Sequence, residues 1–269
     1  LIIIFLYIEV MRAQLLFLFV FFVSFTTQNQ ILLEKIESSK YENNFRLLKV
    51  DDMGNKYYLH NNKFLKKNNL SFSDLSMGLI SKADLYNPLK IKIWYLDFNT
   101  LVILDNFLNE ITRVNFNDTS TFNEINNISS ANENTVWVYD ELDMTIKKFD
   151  FFKKIFVEQV ETKIDGSFIE LISNYNYLWV LTDKFFYKIN YNGTIIYKSE
   201  NKESYDKIRL FKNDVILANY SELIHFENEK ELFVNIKHEK LFIKDFFVIN
   251  ETLYIYEKDQ LNKFLILSY

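Results

Sequence analysis

One local pattern recurs along the chain and limits what it can fold into: a short apolar or aromatic strand, a polar turn, and a second strand beginning Leu/Ile-x-Lys or similar. The pairs are Tyr57–Leu59 with Phe64–Lys66, Val102–Asp105 with Ile111–Val114, and Trp137–Asp140 with Ile146–Phe149. They continue with Trp179–Thr182 and Tyr187–Ile189, Ile216–Asn219 and Leu223–Phe226, and Tyr254–Glu257 and Leu261–Phe264. Anchored at residues 57, 102, 137, 179, 216 and 254, the units are 45, 35, 42, 37 and 38 residues apart. That period matches propeller blades of about 40 residues. Polar residues such as Asn61-Asn62 and Lys258-Asp259 join the paired strands and read as hairpin turns.

Further apolar runs are placed to complete four-stranded blades: Leu47–Val50, Ile91–Trp94, Phe168–Ile172, Ile208–Phe211 and Phe246–Ile249. The expectation is an all-β chain, a β-propeller of about six blades. A β-sandwich or another strand-rich repeat array is the alternative, since the same hairpins can build either. An open ring would leave unpaired edges. The run Ile31–Ile36 is therefore expected beside Phe264–Leu267, latching the last blade. Composition agrees, with 27 Phe and 17 Tyr against 4 Gly and 1 Pro, a balance that favours strands.

From Met11 the chain reads Met-Arg-Ala-Gln, then the apolar run Leu15–Phe25 broken only by Ser24, then Thr26-Thr27-Gln28-Asn29-Gln30. A basic start, a short apolar core and a small polar exit make a secretory signal, with cleavage expected near Thr26 or Thr27. The apolar residues 1–10 begin with leucine and read as a misassigned extension. The organisation expected is residues 1–27 as extension plus cleavable signal, and 28–269 as one propeller-like domain. If residues 1–25 stay attached, a membrane anchor is the alternative. With a net charge of -5 there is no basic footprint for phosphates, so nucleic acid is not an expected partner. The absence of cysteine removes disulfides, thiolate metal sites and a lipid-bearing cysteine.

Three stretches carry a resemblance: Asp51–Tyr57, Asp84–Lys90 and Leu104–Ile111. In these motifs the chain resembles a group of uncharacterised exported propeller-like proteins of Bacteroidota-type bacteria. The likeness is specific over about residues 45 to 150 and elsewhere extends only to repeat rhythm. It implies export and fold, and it assigns no catalytic residue.

No motif predicts catalysis, a cofactor or a metal. Asp52-Met53-Gly54-Asn55 lacks the alternating ligands of a calcium loop and reads as a turn. His60, His225 and His238 fall in separate repeats without metal-ligand spacing. There is no glycine-flanked serine elbow and no glycine-rich phosphate loop. Asp97, Asp140, Asp150 and Glu170 are expected in turn or cross-strand roles, and Trp94, Trp137 and Trp179 in packing between repeats. Asn192-Gly193 reads as a hairpin turn. The single proline, Pro88, stands in a loop ahead of an apolar strand. Loops carry function more often than cores do, so Asp84, Asn87, Lys90, Asp105 and Asn106 form the candidate binding-loop surface.

These features point to an exported, non-catalytic binding or scaffolding domain of the cell envelope, with a protein or envelope component as partner. The alternative is a propeller hydrolase or lyase acting on an envelope glycan, which a cluster of acidic residues at one channel mouth would favour.

Overall fold

The computed structural model of the chain describes residues 31–40, 45–50, 55–66, 70–119 and 123–268. Residues 1–30, which carry the expected extension and signal, and Asp52-Met53-Gly54, read from sequence as a turn, lie outside the described residues. Among the described residues the regular structure is strand, with three short 3-10 turns and no α-helix.

Four sheets hold four strands each and a fifth holds eight. The eight-stranded sheet consists of two four-stranded halves, which meet through two parallel pairs, Ile31 with Ile236 and Leu32 with Lys237. The architecture is thus six four-stranded units, each an antiparallel meander, arranged as a β-propeller. Numbered from Phe45, the first five blades each contain four strands consecutive in sequence. Blade 6 takes three strands from Asp245–Ile249, Thr252–Glu257 and Gln260–Ser268, and its fourth is Ile31–Lys40.

That N-terminal strand is the expected latch. It pairs antiparallel with the C-terminal strand, with Leu32 opposite Leu267, Leu33 opposite Ile266 and Lys35 opposite Phe264. Pairing the two ends removes the open edge of the last blade.

Alternation along each strand sends apolar residues into the seams between blades. Five apolar clusters result, each joining two consecutive blades. Tyr57, Trp94, Trp137 and Trp179, all on second strands, lie in successive seams as the repeat predicts. The seam between blades 6 and 1 is closed by hydrogen bonds among the described residues. The Tyr256 hydroxyl accepts from the Leu47 amide at 2.9 Å and donates to the Leu47 carbonyl at 3.0 Å.

One hairpin differs in phase from the sequence reading. Val102–Asp105 with Ile111–Val114 proves to be the third and fourth strands of blade 2, whereas the other pairs are second and third. The true second strand is Ile91–Tyr95, all five residues of which are buried. Ile91–Tyr95 and Thr100–Leu104 are both mostly apolar and fully buried, so local sequence cannot tell which is the second strand. This slip accounts for the uneven 45 and 35 residue intervals.

Candidate binding site in the central channel

The first strand of every blade is its inner strand: Phe45–Val50, Lys82–Asp84, Ile125–Ser130, Phe168–Ser173, Lys207–Phe211 and Asp245–Ile249. These strands surround a cavity of about 520 Å³ lined by residues of all six. Its size lies in the ordinary range for small-ligand pockets.

An inner strand needs apolar residues toward the seam, yet each of these carries a polar residue near its start: Arg46, Lys82, Asn127, Glu170, Arg209 and Asp245. Three inner strands slip register against their second strands at this level, at Leu47/Lys49, Ile125/Asn127 and Phe168/Glu170. Such bulges re-aim side chains, and here Asn127 and Glu170 follow directly on the irregularity.

Arg209 is the centre of the charge network. Its Nη1 donates to both Glu170 oxygens at 2.7 and 2.8 Å, and its Nη2 to Asp245 at 2.7 Å. Its Nε donates to the Phe246 carbonyl at 2.9 Å. Arg46 ion-pairs with the second oxygen of Asp245. Burial disfavours charge on Arg209, but Glu170 and Asp245 outweigh it and raise its pKa. Burial likewise pushes the Asp245 carboxyl up, and Arg209, Arg46 and the Phe246 amide together hold it below the ordinary value.

Across the channel, Lys82 of blade 2 donates to Asn127 Oδ1 of blade 3 and to the Leu171 carbonyl of blade 4, both at 2.8 Å. Burial lowers its pKa, opposed by the fields of Glu170 and Asp84.

Toward the other end of the inner strands sits Asp84, which is buried. It accepts from the Ser129 hydroxyl at 3.2 Å, the Ser130 amide at 2.7 Å, the Ser130 hydroxyl at 2.8 Å and the Tyr86 amide at 2.9 Å. Ser173 extends this group, donating to Ser129 Oγ at 2.7 Å. Burial would raise the Asp84 carboxyl, but Lys92, these donors and Lys82 keep it low.

Of the five residues singled out from sequence, Asp84 alone lines the channel. Asn87 and Lys90 lie in the loop between the first two strands of blade 2, where Asn87 Oδ1 accepts from the Leu89 amide at 2.9 Å. Lys90 Nζ reaches Asn134 of blade 3 at 2.6 Å. Asp105 and Asn106 occupy the turn between the last two strands of that blade, with Asp105 accepting the Phe107 and Asn109 amides at 2.8 Å. Antiparallel order puts both loops on one face of the ring, but the structure does not gather the five side chains into one site.

Arg46, Lys82, Asn127, Glu170, Arg209 and Asp245 were missed by local reasoning. Asp140 and Asp150 do take turn and cross-strand roles, pairing with Lys147 and capping Phe152. Glu170 instead joins the channel network. The available signal was a polar residue interrupting an apolar first strand at the same place in successive repeats, as in Phe-Ile-Glu-Leu-Ile and Lys-Ile-Arg-Leu-Phe.

No protein-family model and no curated protein sequence matches the chain. Solved structures do. A catalytically inactive virginiamycin B lyase from Staphylococcus aureus with quinupristin is similar at TM-score 0.61 and 11% identity, over 90% of this chain and 97% of that one. BBS1N in complex with ARL6DN is similar at TM-score 0.60 and 8% identity, over 88% and 97%. The extracellular domain of the putative hybrid two-component system BT4673 from B. thetaiotaomicron is similar at TM-score 0.59 and 12% identity, over 81% of this chain and 33% of that one. At such identities the likeness defines the class of fold, a β-propeller, and no function by itself.

Proposed function

We propose that the chain is an exported, non-catalytic binding or scaffolding propeller of the cell envelope, which offers its channel and the loops around Asn87, Lys90, Asp105 and Asn106 to a protein or envelope component. The observation that carries this reading is the state of the channel carboxylates. Glu170 and Asp245 are both held by Arg209, and Asp84 is filled by donors from Ser129, Ser130 and Tyr86. Carboxylates committed in this way hold a shape and are poorly placed to exchange protons with a substrate. Propellers seen with a partner or in an extracellular domain, BBS1N in complex with ARL6DN and the BT4673 domain, support the same direction by analogy of fold. The signal from Met11 supports export.

The second reading is a lyase or hydrolase of an envelope glycan, favoured by the convergence of Asp84, Glu170 and Asp245 on one cavity. A histidine variant of the similar lyase is inactive, whereas no histidine lines this cavity.

The test is to tag the chain at its C-terminus, fractionate the cells, sequence the N-terminus and capture partners from the envelope after reversible cross-linking. A chain starting near Gln28 in the envelope fraction, with one stoichiometric partner, supports the binding reading. A cytosolic chain with its leader intact overturns export, and turnover of envelope glycan by the clean protein transfers the assignment to the enzyme.

A further inference from the structure

The charge network around the channel stops short at the seam of blades 1 and 2, where Lys49 donates to the Leu85 carbonyl at 2.7 Å. Starting at blade 1, Arg46 meets Asp245 of blade 6, Asp245 meets Arg209 of blade 5, and Arg209 meets Glu170 of blade 4. From the neighbouring Leu171 carbonyl the network continues to Lys82 of blade 2, which also holds Asn127 of blade 3. Charges alternate along the chain from Arg46 to Glu170. The network ends on two cations of adjacent blades, Arg46 and Lys82, with no carboxylate between them.

Both cations are underused. Lys82 bonds two neutral oxygens and makes no ion pair among the described residues, so one of its three N–H donors remains for another acceptor. Arg46 commits Nη2 to Asp245, and its side chain is 49% exposed. The wall carries Arg46, Lys49, Lys82 and Arg209 against Asp84, Glu170 and Asp245, four positive groups to three negative. Trp94, the register partner of Lys82, lines the same cavity and keeps a buried indole N–H without a partner. Lys82 is enclosed and feels Glu170 and Asp84 only through space, with no direct ion pair, so a monoanion in contact with it would balance the one surplus positive charge of the wall.

The seam of blades 1 and 2 supplies the other half of the recognition. Leu48, Leu59, Ile80 and Leu85 line the cavity there and belong to the apolar cluster joining the two blades. Inner strands approach one another around the rest of the ring, and most weakly here.

We propose that the channel binds an apolar monocarboxylate, its carboxylate seated between Arg46 and Lys82 and its body lying along Leu48, Leu59, Ile80 and Leu85. This rests on the binding reading of the same channel and names the ligand class.

The test is calorimetric titration of the mature chain with octanoate and 3-phenylpropionate, beside octanamide, octylamine and inorganic phosphate. Both carboxylates bind, and the amide and amine bind at least about tenfold more weakly, as loss of a charge-assisted contact requires. K82M and R46Q each weaken carboxylate binding by about tenfold or more. K82M leaves the Asn127 and Leu171 oxygens without their donor, so its unliganded melting temperature is expected to fall, while R46Q, at the more exposed cation, is expected to change it less. R46Q keeps the test open if K82M fails to fold. Equal affinity for octanoate and octanamide, tighter binding of phosphate, or no heat from carboxylate at about 10 mM overturns the proposal. Those outcomes leave export and partner capture untouched, so the two readings fail separately.

Discussion

Lys188, on the third strand of blade 4, donates its Nζ to the carbonyl of Asn228 in the turn of blade 5 at 2.9 Å. The same reach recurs from Lys148 of blade 3 to the Tyr191 carbonyl of blade 4, and from Lys66 of blade 1 to the Asn106 carbonyl of blade 2 at 2.8 Å. Each of these lysines also lies over an aromatic ring of its own blade, Tyr177, Trp137 and Tyr57 respectively. The lysine that marks the repeat in sequence is thus a tie between successive blades. K188A removes the bond to Asn228 and the pair with Glu231, and leaves both acceptors behind. Because Lys188 is buried, urea unfolding is expected to show a loss of about 2–4 kcal/mol.

Arg209 holds two carboxylates that would otherwise face one another across the channel. R209M leaves Glu170 and Asp245 without it, and stability at neutral pH is expected to fall by about 3–5 kcal/mol. Adding E170Q and D245N to R209M restores much of that loss. A triple variant no more stable than R209M would mean that the arginine acts through packing rather than charge.

Acid sensitivity follows from Asp84 and Asp245. Burial raises both carboxyls, but their cationic neighbours and amide donors outweigh it, so both titrate lower folded than unfolded. Protons added below the ordinary value of about 3.9 bind the unfolded chain first. The stabilisation is therefore complete above that pH and is lost as pH falls through the folded values. Urea midpoints should drop below about pH 4 in the parent and drop less in D84N, whose starting stability is already lower. A flat profile for the parent contradicts the assignment.

Gly166 has φ of +93°, and a methyl group there would come within 2.6 Å of Asp183 Oδ1 and 2.8 Å of Thr182 Oγ1. Asp183 is fixed by the bond it accepts from the Ser167 amide at 2.6 Å. G166A is expected to cost about 1–3 kcal/mol, read as a lower melting temperature with the channel titrations unchanged.

The latch yields a clear truncation test. A chain starting at Gln28 keeps Ile31–Lys40 and melts cooperatively. A chain starting at Tyr41 exposes the edge of Gln260–Ser268 and removes Ile31 from the apolar cluster of blades 5 and 6. It is expected to lose its sharp melting transition and to associate. An unchanged, monomeric transition would show that the latch is dispensable.

Strand positions and hairpins were legible because they follow from apolar alternation and turn residues, which are local, and the pairing of Ile31–Ile36 with Phe264–Leu267 because a closed ring leaves no unpaired edge. Blade 2 was the exception. Ile91–Tyr95 and Thr100–Leu104 are both fully buried, so neither alternation nor composition marks which strand is second and which third. The turn at Asn192-Gly193 was readable for the opposite reason, since Gly193 at φ +87° has the conformation that the Asn-Gly pair favours.

What the sequence by itself determined was the repeat and the strand content, because backbone propensity and the period of apolar residues act within a few tens of residues, and the two ends that must meet, because an unclosed ring leaves an unpaired edge. Only the tertiary structure decided the channel. Arg46, Asp245, Arg209 and Glu170 are up to 199 residues apart, and each looks alone like an ordinary charge in a strand. They become a network because six inner strands converge on one axis, where enclosed charges must find one another. The same convergence leaves Lys82 and Arg46 facing a cavity with no carboxylate between them.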